Sequence, residues 1–175
     1  MRLPIAYYGD PILRKKASPV KTVSDEIKEL VQNMIETMLV ENGIGLAAPQ
    51  IHQSLRIFIT AVPKKNDEGE LIRSKPKVYI NPEILKISKE TVSYNEGCLS
   101  IPGIRGEVER PFCITIKALD INGQEFVEVL EGLDAVCTCH ENDHINGVLY
   151  VDRIKGKARQ AMEPKLKEIK KKYHS

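Results

Sequence analysis

Leu133-Asp134-Ala135-Val136-Cys137-Thr138-Cys139-His140-Glu141-Asn142-Asp143-His144-Ile145-Asn146-Gly147 is the stretch on which the reading of this chain turns. Leu133, Val136, Cys137, His140 and His144 recur at three- and four-residue spacing, which places them on one stripe of a helix, and Asn146-Gly147 is a stop signal. Inside the stretch, residues 140–144 have the form H-E-x-x-H, a match that composition alone would produce on the order of one time in a hundred. A helix turns about 100° per residue, so positions i and i+4 stand one above the other and both imidazoles can meet one cation. Glu141, one step round, falls beside that cation, where a general base for a bound water belongs. The bland alternative is a pair of hydrogen-bonded core histidines with Glu141 paired to a lysine. Three ionisable groups packed on a buried face are costly without an ion, which argues against it.

Two histidines are one ligand short, because tetrahedral catalytic sites take three protein ligands and leave a position for water. The candidates are Cys98, a carboxylate such as Glu96, and the remaining histidines, of which His52 follows a Pro-Gln turn and His174 is the penultimate residue. A lone strand cysteine is ordinarily small core. Cys98, however, sits in Glu96-Gly97-Cys98-Leu99-Ser100 with Pro102-Gly103 close behind, where Gly97 permits unusual backbone geometry, and this favours it as the third ligand. A third segment, Gly43-Ile44-Gly45-Leu46-Ala47-Ala48-Pro49-Gln50, has little side-chain bulk. Another chain can approach its backbone and lie there as an added strand, and Gln50 ends it with an amide donor suited to a developing oxyanion. Tight helix packing is the rival explanation of the small residues.

Outward from these segments, the class is α+β. Ser24 caps a helix whose Ile27, Leu30, Val31, Met34, Ile35, Met38 and Leu39 keep helical spacing until Asn42-Gly43. Then come β-branched runs at 55–62, 77–81, 84–94, 106–110, 113–120 and 125–130, with Asn122-Gly123 as a hairpin signal, so a mostly antiparallel sheet is expected. Residues 63–76 read as an exposed loop. A last helix is expected to start near Pro164, with lysines 165, 167, 170, 171 and 172 on a solvated face; a ribosome or RNA contact there is the rival reading. The N-terminal twenty residues should lie irregular and extended over the body.

The whole of residues 1–175 reads as one domain, with enough length for a buried core and no internal repeat. Lys and Arg number 26 against 24 Asp and Glu, a net +2 that argues against DNA or other nucleic acid as the main partner. Pro4, Asp10 and Pro11 interrupt any signal-peptide core and no stretch has the length of a membrane span, so a cytoplasmic protein is expected. Four cysteines without a secretory segment read as reduced thiols.

GIGLAAPQ at 43–50, EGCLS at 96–100 and HENDH at 140–144 together resemble the three signature motifs of peptide deformylases, in order and at similar spacing, and Gly9-Asp10-Pro11-Ile12-Leu13-Arg14 and Ser18-Pro19-Val20 resemble that family's opening. The resemblance implies a mixed sheet around a central motif helix, flanked by the N-terminal and C-terminal helices. It implies one cation, Fe2+ with Zn2+, Ni2+ or Co2+ as substitutes, held by Cys98, His140 and His144. The implied activity is hydrolysis of a linear amide, removing the formyl group from the N-terminal formyl-methionine of newly synthesised proteins and releasing formate. Carried over by position, Glu141 is the acid/base, Gln50 and the Leu99 N–H hold the oxyanion, and Gly45 offers backbone contacts to substrate. Ile44, Glu96, Gly97, Leu133, Val136, Cys137 and His140 then surround the methionine pocket. Coordination would lower the pKa of a bound water so that it attacks the formyl carbon while Glu141 takes its proton. Two positions depart from the usual pattern: Cys139 stands where a glutamine is usual, adding a thiol near the site, and Ile145 where a leucine is usual. The rival functions are an H-E-x-x-H endopeptidase and a catalytically inactive peptide-binding module.

Overall fold

In a computed structural model that describes residues 1–174, the elements follow in the order expected, and the motif helix lies at the centre. Helix α1 (Asp25–Val40) starts where Ser24 Oγ accepts the Ile27 N–H at 3.3 Å, with Asp25 and Glu26 in its first turn. It buries Val31, Met34 and Met38 against Leu46, Ile57, Ile59 and Ile80. These last four come from a five-stranded antiparallel sheet in the order β1 (Gly45–Ala47), β2 (Ile57–Thr60), β5 (Lys77–Ile87), β8 (Cys113–Leu119) and β9 (Glu125–Glu131). Strand β1 is therefore an edge, paired on one side only.

Two further hairpins complete the β structure, β3 (Pro63–Lys65) with β4 (Leu71–Arg73) and β6 (Thr91–Cys98) with β7 (Ile101–Pro111). Helix α2 (Leu133–Ile145) packs on β1, β2, β7 and β9, so it is enclosed between the main sheet and the β6–β7 hairpin. Between Ala135 and Ile145 every residue but Asn142 is buried. Its sheet-facing side, Ala135, Cys139 and Ile145, meets Phe58, Tyr79, Ile114 and Ile116. Helix α3 (Gly156–His174) closes the other side of β7, where Met162, Leu166 and Ile169 pack on Ile104 and Val108. The N-terminal segment is stitched between two motif segments: the Ala6 N–H donates to the Gln50 carbonyl at 2.7 Å and the Tyr8 N–H to the Ser100 carbonyl at 2.9 Å.

Several expectations change. Residues 63–76 are exposed as expected but form the β3–β4 hairpin, closed by Asn66, whose Oδ1 accepts the N–H groups of Glu68 and Glu70. Its polar sequence reflects a ribbon with solvent on both faces. The runs at 77–81 and 84–94 are divided differently: β5 continues through Asn81-Pro82 by a register shift, and the break falls at 88–90, where the Ser88 hydroxyl donates to the Glu90 carbonyl. Helix α3 begins at Gly156 and carries Pro164 in its interior. Lys157 to Met162 are good helix formers and Met162 is buried, so propensity and packing together outweigh the one backbone bond that Pro164 removes. All strand pairs of the named sheets are antiparallel, and among the described residues the parallel pairing is a single bridge between Ser18 and Leu55. None of the described helices is long and apolar enough to cross a membrane.

Phe58 ties the sheet to α2: it is fully buried and its ring stacks on Tyr79 with centroids 4.9 Å apart. Phe58→Ala is expected to cost roughly 3–5 kcal/mol, read as a lower midpoint in denaturant unfolding with the same slope.

Candidate active site

The three segments singled out in the sequence meet at one place. Cys98 ends β6 after a register shift beside Glu96, and His140 and His144 lie one turn apart on α2. The ligand-capable atoms of Cys98, His140 and His144 all lie within 4.8 Å of one another, and Cys98 Sγ is 3.4 Å from His144 Nε2. A thiol and two imidazoles converging at this distance are a donor set that fits one transition-metal cation. Burial and the neighbouring His140 hold the His144 pKa well below its ordinary value, so that imidazole stays in the neutral, ligating form. His52 and His174 are elsewhere: His52 lies 3.6 Å from Asp10, and His174 Nε2 lies 3.0 Å from the Tyr7 carbonyl oxygen.

Glu96 is placed behind the cluster. Its Oε1 lies 2.7 Å from His140 Nδ1, and a carboxylate can only accept, so the proton sits on Nδ1 and Nε2 is left for a cation. Both Glu96 oxygens also accept from Arg110, Oε2 from Nε and Oε1 from Nη2, each at 2.9 Å. Arg110 Nη1 then donates to Asp143 Oδ2 at 2.6 Å, and Arg153 grips the same Asp143 through Nε and Nη2 at 2.7 and 2.8 Å. Burial raises the Glu96 pKa, but its bonds to Arg110 and His140 outweigh this and hold the carboxyl below the ordinary carboxylate range.

Glu141 stands on the cleft side of α2. Burial pushes its carboxyl up to about 7, against the opposing pull of His140, and its Oε1 has no hydrogen-bond partner among the described residues. A side chain on Gly45 would put Cβ 2.5 Å from Glu141 Oε2, so β1 must have glycine there for the carboxylate to occupy this position. Gln50 is oriented from both ends of its amide. Its Oε1 accepts the Ala47 N–H at 3.0 Å, while Nε2 donates to Ser100 Oγ at 3.0 Å and to Cys98 Sγ at 3.4 Å.

A cleft of about 770 Å³ opens over these groups. Ile44, Gly45, Gln50, Glu96, Gly97, Cys98, Leu99, Leu133, Val136, Cys137, His140 and Glu141 all line it, and His144 lies behind. Two details differ from expectation. Gly97 has no left-handed backbone angle; the Arg105 guanidinium lies over it, with Nη1 2.6 Å from where a Cβ would fall. Cys139 is not a thiol beside the cleft but part of the core between α2 and the main sheet, where burial pushes its pKa up to about 11. Cys137 does line the cleft, and burial together with the Glu141 charge keeps its thiol protonated.

Sequence reasoning missed Arg110, Arg153, Ser100, Arg105, Tyr7 and Tyr173, and passed over Asp143 as a spacer within the motif. Arg110 carried a signal: it shares with Val108 the inward register of β7, where a charge needs a partner. Arg153 and Tyr173 carried none, since their contacts depend on how distant segments dock.

An α+β fold that gathers a cysteine, two histidines and an adjacent glutamate into a cleft has the equipment of a metallohydrolase. Residues 2–160 match the polypeptide deformylase family, and the chain belongs to it. It is 41% identical over 167 residues to a peptide deformylase of Acinetobacter baumannii, covering 95% of this chain and 91% of that protein. A solved peptide deformylase of Plasmodium falciparum superposes with a TM-score of 0.87 at 37% identity, over 98% of this chain and 99% of that one. A Met-Ala-Ser-bound peptide deformylase of Acinetobacter baumannii gives 0.81 at 39% identity, over 88% and 99%.

Arg110→Met is expected to destabilise the protein by roughly 3–5 kcal/mol, because it leaves Glu96 and Asp143 buried without their partner. Chemical denaturation of the two proteins, each stripped of metal, measures it.

Proposed function

We infer that this chain is a metal-dependent peptide deformylase whose whole length, 1–175, serves one catalytic site. The observation that carries the reading is the convergence of Cys98, His140 and His144 within 4.8 Å with the buried, unpartnered Glu141 oxygen beside them. Cys98 Sγ and the free nitrogens of His140 and His144 would hold Fe2+, and the same soft donor set accepts Zn2+, Ni2+ or Co2+. When bound, such a cation supplies Lewis acidity and a water acidic enough to react near neutral pH.

The residues of the chain do the rest. Glu141, next to the cation position, receives as a carboxylate the proton of the attacking water and returns it to the leaving amine. Gln50 Nε2 has one hydrogen committed to Ser100; the other, which here makes the long bond to Cys98 Sγ, is the one that turns to the charge growing on the formyl oxygen, together with the Leu99 N–H. Leu133, Val136 and Cys137, on the first turns of α2, with Ile44 opposite, form an apolar pocket for the methionine side chain. Gly45, on the unpaired edge β1, lets the substrate backbone lie alongside as a further strand. The proposed substrates are formyl-methionyl nascent chains and the proposed compartment is the cytoplasm, where such chains are made; lysines 165, 167, 170, 171 and 172 are all exposed on α3 and are available for a ribosome contact.

Protein purified without oxygen and loaded with Fe2+ or Ni2+ is expected to release formate from formyl-Met-Ala-Ser. Cleavage of internal peptide bonds without formate would make it an endopeptidase, and tight binding without turnover a peptide-binding module. Glu141→Gln should keep its metal and lose roughly 10²–10⁴ of kcat; an active variant with metal bound removes Glu141 from the chemistry. Cys98→Ser should lose metal where Cys113→Ser, on β8, does not, as measured by elemental analysis.

A further inference from the structure

Two aromatic residues that this chemistry does not use stand on the wall of the same cleft: Tyr7 from the N-terminal segment and Tyr173 from the last turn of α3. Tyr7 is fixed on both sides, by the backbone bonds of Ala6 to Gln50 and of Tyr8 to Ser100. Tyr173 is laid flat on it, with ring centroids 3.7 Å apart and planes 11° from parallel. His174 Nε2, 3.0 Å from the Tyr7 carbonyl oxygen, pins the end of the helix to the same residue. Gly9 makes this approach possible: it has φ +105°, and a Cβ there would come 2.6 Å from Lys170 Cγ and 2.8 Å from His174 Cδ2. The joint between the two ends of the chain is thus built into the sequence at four places, yet Tyr173 remains 36% exposed.

The inner part of the cleft is already assigned, with the formyl group among Cys98, Gln50 and Glu141 and the methionine side chain against the start of α2. A formyl-methionyl substrate continues as a peptide, and the rest of the cleft wall is what it meets. Stacked tyrosines offer that peptide a large, rigid, amphipathic surface that loses little entropy on contact. We propose that Tyr7 and Tyr173 form a subsite for the residues that follow the formyl-methionine, which makes the last turn of α3 a substrate-contacting element. The proposal rests on the deformylase reading. The family match covers residues 2–160, so it includes Tyr7 and ends short of Tyr173, the half of the subsite that α3 contributes.

The test compares formate release from formyl-methioninamide, which has no following residue, with release from formyl-Met-Ala-Ser, using the metal-loaded full chain. In Tyr173→Ala the ratio of the tripeptide KM to the amide KM should rise roughly three- to tenfold, with the kcat ratio unmoved. Tyr173→Phe should restore the parent ratio. Gly9→Ala, which displaces the helix end without removing an aromatic ring, should raise it in the same direction. A KM ratio unchanged in Tyr173→Ala, or both substrates losing affinity alike, overturns the subsite while leaving the deformylase reading intact. A parent enzyme that releases formate from neither substrate removes the reading and the subsite together.

Discussion

Arg110 is 3% exposed and carries its charge into the interior of the protein, where it joins the β6–β7 hairpin to the motif helix. One side of its guanidinium takes both oxygens of Glu96 on β6, and the other takes Asp143 on α2. A pair of this kind gains little stability over a well-packed apolar core, because desolvating the ions offsets most of their attraction. What it supplies is position. Glu96 is held so that its remaining acceptor capacity falls on His140 Nδ1, and Asp143 is held one residue before His144. The cysteine-bearing hairpin and the histidine-bearing helix thereby meet in one register. Arg153 extends the same network to the surface, where its side chain is 45% exposed, so the chain of ion pairs behind the cation site runs from the cluster to solvent.

The centre of the fold was legible in the sequence because its chemistry is local. H-E-x-x-H needs only helical spacing, Ser24 needs only the three residues that follow it, and Asn122-Gly123 is a turn by its own backbone preferences, with Gly123 at φ +78°. Cys98 could be preferred over Glu96 as a ligand only by argument about a missing donor; the structure separates the two by placing Glu96 against His140 and Arg110. The less legible features are those that depend on partners far apart in the chain. The exposed 63–76 ribbon has no buried face to impose alternation, so nothing in its pattern distinguishes a hairpin from a loop. Pro164 is a start signal by local rule, and was overridden by a face that Met162, Leu166 and Ile169 bury against β7.

Cys137 and Cys139 illustrate how two residues of one type, two positions apart, acquire different meanings. About 200° of helix rotation separates them, which puts one on the cleft and the other against Phe58 and Ile145. Burial keeps both thiols protonated, the form in which a thiol neither ligates a cation nor accepts a proton. The substitution at 139 is thus a matter of core packing alone.

Strand β1 carries two requirements that conflict with ordinary sheet design. As an edge it has unpaired backbone groups, which proteins usually cover, charge or shorten. Here it is three residues long, and its open side faces the cleft and not bulk solvent. Gly45 at its start has no Cβ because Glu141 occupies that space, and its pairing with Thr60 on β2 holds the backbone still while it does so. The same absence of a side chain that seats the carboxylate also opens the strand edge to a peptide backbone. A substrate pairing there would therefore be registered against Glu141 by the one residue that both require to be small. In the proposed mechanism, the position of Glu141 and the alignment of the substrate are in this way a single steric constraint.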